Sequence, residues 1–140
     1  MQIQRIQTLM LLIAAIFVAV FCFCPFATLP ESETAAATAV FVKDAPVFLV
    51  LNIVVALLLV ILIFMYKNLR QQMRMTVLSI VLICASIVTC GFVTFVSFPG
   101  STPVLLGGVS LLVLALIFAL LALRGMKHDH RLLASSSRLR

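Results

Sequence analysis

Two groups of side chains in this sequence are of types that do chemistry. Cys22 and Cys24 stand one residue apart, with Cys84 and Cys90 further along, and His128-Asp129-His130 places two imidazoles beside a carboxylate. Paired thiols would suit disulfide exchange. Quinone-linked membrane oxidases of four helices carry Cys-x-x-Cys pairs outside the membrane, whereas Cys22-Phe23-Cys24 has a different spacing and the segments expected outside hold no cysteine. Cysteine in an apolar run packs as a small hydrophobe, and packing is the role expected here. Histidine and aspartate are good ligands for a zinc-like ion. Two histidines two apart on a helix point to nearly opposite faces, however, and no further ligand cluster accompanies them. Neither group is expected to form a catalytic, cofactor or metal site.

The elements that would carry these residues are unusually apolar. The chain has 140 residues, 64% hydrophobic and 10% charged, where a soluble domain carries about 25% charged residues. A water-soluble fold could not cover so much apolar surface, so lipid is the expected solvent. The net charge of +6 would suggest nucleic acid in a soluble protein. Here the positives flank apolar stretches, where they face anionic headgroups, and no nucleic acid is expected.

The charge gaps mark the spans. No charge lies between Arg5 and Glu31, Asp44 and Lys67, or Arg74 and Arg124. The last gap, as one helix, would be more than twice the ~30 Å hydrocarbon core, so the chain turns back within it. Phe98-Pro99-Gly100-Ser101-Thr102-Pro103 supplies that turn. The prediction is an all-α integral membrane domain over 1–140, an up-down bundle of four transmembrane helices at about 8–26, 46–66, 76–96 and 104–123. Outer loops would cover 27–45 and 97–103, a cytoplasmic loop 67–75 and a cytoplasmic tail 124–140. Pro46 suits the first turn of the second helix and Tyr66 an interface position. Nine of the ten Lys/Arg residues then share one side: Arg5, Lys67, Arg70, Arg74, Arg124, Lys127, Arg131, Arg138 and Arg140. Only Lys43 lies opposite, with Glu31, Glu33 and Asp44, so both termini are expected in the cytoplasm. A cleaved signal peptide is not expected, because Cys24-Pro25-Phe26 follows the first apolar run where a small-x-small site would stand.

The spans contain no Asp, Glu, Lys, Arg or His, and proton-coupled transport needs such a group inside the membrane. Small multidrug transporters, also four-helix chains, carry a carboxylate in the first helix that this chain lacks. Ser86, Cys90 and Thr94 are spaced by four and stack on one helix face, where small side chains allow close helix approach. Ala15/Ala19, Ala115/Ala119, Gly107-Gly108 and Asn52 are further candidates for helix packing. The phenylalanines, among them Phe21, Phe23, Phe48, Phe92 and Phe95, gather toward the outer ends and read as packing.

Three stretches resemble a bacterial domain-of-unknown-function family of short four-helix inner-membrane proteins. They are Gln4-Arg5-Ile6-Gln7-Thr8-Leu9 entering the first span, Tyr66-Lys67-Asn68 with Arg70 and Gln71, and the ending Ser135-Ser136-Ser137-Arg138-Leu139-Arg140. Ser137 stands where that family usually has an acidic residue. The resemblance implies a bacterial inner-membrane location and carries over no catalytic residue. The expected function is that of a non-enzymatic accessory or assembly subunit, in contact with the bilayer and with a membrane-protein partner or a second copy of itself. The basic residues named above would meet anionic lipid or that partner. Oligomeric passive transport or lipid handling is the alternative, followed by thiol oxidoreduction.

Overall fold

A computed structural model of the protein describes residues 2–29, 38–41, 45–65, 67–97, 102–103 and 108–138. Four helices carry the fold. Helix α1 spans Gln2–Phe21, α2 Pro46–Phe64, α3 Leu69–Phe92 and α4 Ser110–Arg138. A widened π turn, Val93–Ser97, continues α3. Helix α1 stops where Phe23 N–H bonds the Val20 carbonyl and Cys24 N–H bonds that of Phe21, a tightened turn that Pro25 cannot extend. Pro46 opens α2, where its fixed φ fits and its missing N–H costs nothing.

The buried positions repeat with heptad spacing in every helix. On α1 they are Gln7, Leu11, Ala14, Val18 and Phe21, and on α2 Phe48, Asn52, Val55, Leu59 and Leu62. On α3 they run Gln72, Thr76, Ser79, Ile83, Ser86 and Cys90, and on α4 Leu112, Ala115, Ala119, Ala122, Met126 and Asp129. Alternating steps of three and four keep one seam of each helix turned inward over its whole length. Each helix packs on its two neighbours in a ring, α1 on α2 and α4, α3 on α2 and α4. The contacts set start against end. Phe21 meets Phe48 edge-on at 5.7 Å, Gln72 Nε2 donates to the Leu62 carbonyl at 3.1 Å, and Thr76 Oγ1 lies 3.7 Å from Met126 Sδ.

Away from its basic end, the outside is as apolar as the core. Ile16, Val50, Ile61, Val81 and Ile117 are among the exposed large side chains, while the seams hold Gln, Asn, Ser and Thr. Helices α2, α3 with its π turn, and α4 are each long and apolar enough to cross a membrane. The apolar stretch of α1, Arg5–Phe21, is shorter than those three.

Four features depart from the sequence reading. The first helix ends at Phe21 rather than near Phe26, because the Cys22–Cys24 turn comes before the proline. The loops expected outside carry strands: β1 (Pro25–Leu29) pairs antiparallel with β2 (Thr38–Phe41) and with β3 (Thr102–Pro103), giving the order β2-β1-β3. Loop 67–75 is shorter than expected, since α3 begins at Leu69. The tail is helical to Arg138. Glu31, Glu33, Lys43, Asp44, Tyr66, the Phe98–Ser101 part of the expected turn and Gly107 lie outside the described residues.

Candidate functional site

The start of α1, the end of α2, the start of α3 and the end of α4 meet at the basic end of the bundle. Helix α4 has 29 residues, about 43 Å at 1.5 Å per residue, so it overshoots a ~30 Å hydrocarbon core. The overshoot carries Arg124, Lys127, Arg131 and Arg138, all exposed. Arg5, Lys67, Arg70 and Arg74 are exposed as well, and Arg140 lies outside the described residues.

Two side-chain links fix the overshoot. Gln7 Nε2 donates to Asp129 Oδ2 at 2.6 Å, joining α1 to α4, with Gln7 4% and Asp129 9% exposed. Burial of a carboxylate is costly unless it is hydrogen-bonded, so this contact specifies where the two helices dock. Gly125 makes room for it: a Cβ there would stand 3.2 Å from Gln7 Cγ. On the other side, Arg70 Nε donates to His130 Nε2 at 3.3 Å and ties α3 to the same stretch of α4. Asp129 is thus buried structure within an otherwise largely exposed stretch of α4. His128 is exposed and His130 half-buried, and no metal-ligand group of three forms among the described residues.

Beside the Arg70–His130 contact lies an open cleft of about 730 Å³, lined by Lys67, Asn68, Arg70, Arg74, His130 and Ser137 among others. No acidic side chain is among its described lining residues. Asn68 precedes α3 and makes no side-chain cap on it.

Of the packing residues expected from the sequence, Ala15, Asn52, Ser86, Cys90, Thr94, Gly108, Ala115 and Ala119 are buried and Ala19 is exposed. The alanines of α1 and α4 share one core cluster with Leu11, Val18 and Met126. Thr94 Oγ1 donates to the Cys90 carbonyl at 2.7 Å and Asn52 Nδ2 to that of Phe48 at 2.8 Å, whereas Asn52 Oδ1 and Ser86 Oγ are buried without a hydrogen-bond partner among the described residues. All four cysteines are free thiols: Cys90 is buried against Phe21, Phe48 and Leu112, Cys22 and Cys24 are half-buried, and Cys84 is exposed. A second, mostly apolar groove of about 560 Å³ runs between α1 and α2, past Ala19, Cys22, Phe23 and Leu49.

Sequence reasoning missed Gln7, Gln72 and the structural role of Asp129. The heptad steps from Gln7 through Leu11 to Ala14, and from Ala122 through Met126 to Asp129, were the signal that could have found them.

The chain belongs to the DUF4293 family, a domain of unknown function, whose pattern matches residues 3–139. No curated protein and no solved structure matches it.

Proposed function

We propose that this chain is a multi-pass protein of the bacterial inner membrane with both termini in the cytoplasm. In this reading α1 crosses together with the three longer helices. It works as a non-enzymatic accessory or assembly subunit whose basic end rests on anionic lipid or on an acidic partner. The observation that carries this is the α4 overshoot. It is a continuous helix to Arg138, bound to the bundle through Asp129 and Gln7 and bearing exposed basic residues. The apolar exterior supports the lipid setting, and the imbalance of basic residues between the two sides supports the orientation.

Reporter fusions test the topology: the N-terminus and Arg140 should read inside, and a site between Glu31 and Lys43 outside. An external C-terminus would refute it. Changing Lys127, Arg131, Arg138 and Arg140 to Gln should leave insertion intact, because Arg5, Lys67, Arg70, Arg74 and Arg124 keep the orienting charge. The same variant should bind anionic vesicles or a co-purifying partner more weakly, each basic residue contributing about 1 kcal/mol before salt screening. Unchanged binding in both assays would reduce the overshoot to an orienting flank.

A second reading, passive passage along an oligomer of bundles, is favoured by one observation. Asn52 Oδ1 and Ser86 Oγ, both on inward seams, are buried polar atoms with no partner among the described residues. Such atoms are normally satisfied by protein or by ordered water, and water on the seams is what a polar passage would need.

A further inference from the structure

The geometry points to a phosphate-binding site in the cleft between the start of α3 and the α4 overshoot. This deepens the basic-surface reading above by singling out one concave site and one ligand chemistry.

The cations are gathered by structure rather than by sequence alone. Lys67 lies in the α2–α3 connection, Arg70 and Arg74 stand one helical turn apart on α3, and His130 reaches in from α4, sixty residues from Arg70. Residues four apart on a helix share a face, so the two guanidinium groups can converge on one anion. The Arg70–His130 hydrogen bond uses the arginine Nε–H and the imidazole Nε2. It holds the guanidinium in place and leaves its Nη donors for another acceptor. Planar guanidinium donors match the paired oxygens of a phosphate.

Two further facts favour an anion. Asp129, next to His130 in sequence, faces Gln7 on α1 instead of the cleft, so the basic groups have no carboxylate among the described lining residues to neutralise them. The first-turn amides of α3 receive no side-chain cap from Asn68, and the positive end of that helix adds to the field in the cleft. The volume, about 730 Å³, falls in the ~300–1,000 Å³ range of small-ligand clefts. The site lies where α3 and α4 overshoot the apolar belt, which in the proposed orientation is the depth of cytoplasmic headgroups. The ligand is therefore the phosphate of an anionic lipid headgroup or a free phosphate ester.

The test uses the full chain in a neutral detergent, titrated calorimetrically with dioctanoyl phosphatidic acid, dioctanoyl phosphatidylcholine and inorganic pyrophosphate. Two double variants lose the same charge: Arg70→Gln with Arg74→Gln inside the cleft, and Arg131→Gln with Arg138→Gln outside it. Phosphatidic acid should bind the native chain more tightly than phosphatidylcholine. The inner variant should weaken it at least about tenfold, since each arginine supplies charge-assisted hydrogen bonds, and the outer one less than about threefold. Pyrophosphate binding with the same variant pattern would show that phosphate alone suffices; phosphatidic acid binding without it would assign the lipid headgroup. Arg70 and Arg74 are exposed, so the fold should survive; should circular dichroism show lost helix, Lys67→Gln with His130→Gln replaces that variant. Equal weakening by the inner and outer variants would overturn the cleft while sparing the broader basic-surface reading. No binding of either phosphate ligand to the native chain would overturn it outright. An external C-terminus in the fusion assay would sink the topology without touching these detergent measurements.

Discussion

The two ends of the bundle are closed by different means. At the basic end, side chains do the joining: Gln7 to Asp129, Gln72 to the Leu62 carbonyl and Arg70 to His130. At the other end, Phe21, Phe48, Cys90 and Leu112 pack into a cluster, and β1 bridges β2 and β3 through backbone pairing. Packing tolerates substitution as long as volume is kept, whereas a buried carboxylate tolerates few neighbours. The aromatic end therefore sets how firmly the bundle holds. The basic end sets which helix faces which, and so keeps the charged overshoot in one place.

The largest expected effect comes from opening the aromatic end. Phe48→Ala empties a fully buried ring site and should cost about 3 kcal/mol, because the cavity term persists even where lipid replaces water as the outside solvent. Denaturant unfolding in detergent would measure it. A loss below about 1 kcal/mol would mean that the cluster is not what holds this end.

Next comes the polar end. Gln7→Leu strands the Asp129 carboxylate and should cost about 2 kcal/mol, while Gln7→Leu combined with Asp129→Leu should recover part of that loss. A double variant as weak as the sum of its parts would show that the pair acts independently and specifies nothing.

The smallest effects separate two thiols. Cys90→Ala removes a buried sulfur and should cost about 1 kcal/mol, whereas Cys84→Ala, on the exposed face, should stay within about 0.5 kcal/mol. Equal values for the two would put Cys90 outside the packed cluster.

How much of this was legible depends on what each pattern encodes. Apolar runs show where helices lie, and the second, third and fourth helices were readable from them. Which face turns inward was harder to read, because most of the seam is as apolar as the exterior and only on α3 is it marked by a run of polar side chains. Thr76, Ser79 and Ser86 sit on the seam while Val81 and Val88 face out. The strand β1 was hidden because Pro-Phe-Ala-Thr-Leu reads as the tail of an apolar span. The α4 overshoot was hidden for another reason: after Leu123 the apolar run breaks, and the helix continues on contacts that Met126 and Asp129 make with the bundle. The basic residues were plain in the sequence. Their assembly into a cleft was not, since it joins Arg70 to His130 through the docking of separate helices.

The Gln7–Asp129 bond also places a clock on biogenesis. Its partners are 122 residues apart, and a ribosome adding about 5–20 residues per second needs roughly 6–24 seconds to travel from one to the other. During that interval α1 is already made, while the inward seam bearing Gln7, Leu11 and Ala14 has only α2, and then α3, beside it. The ring closes when α4 arrives. A nascent chain stalled before Gly125 would leave the inward seam of α1 without its α4 partner, so the bundle cannot close until the last helix is made.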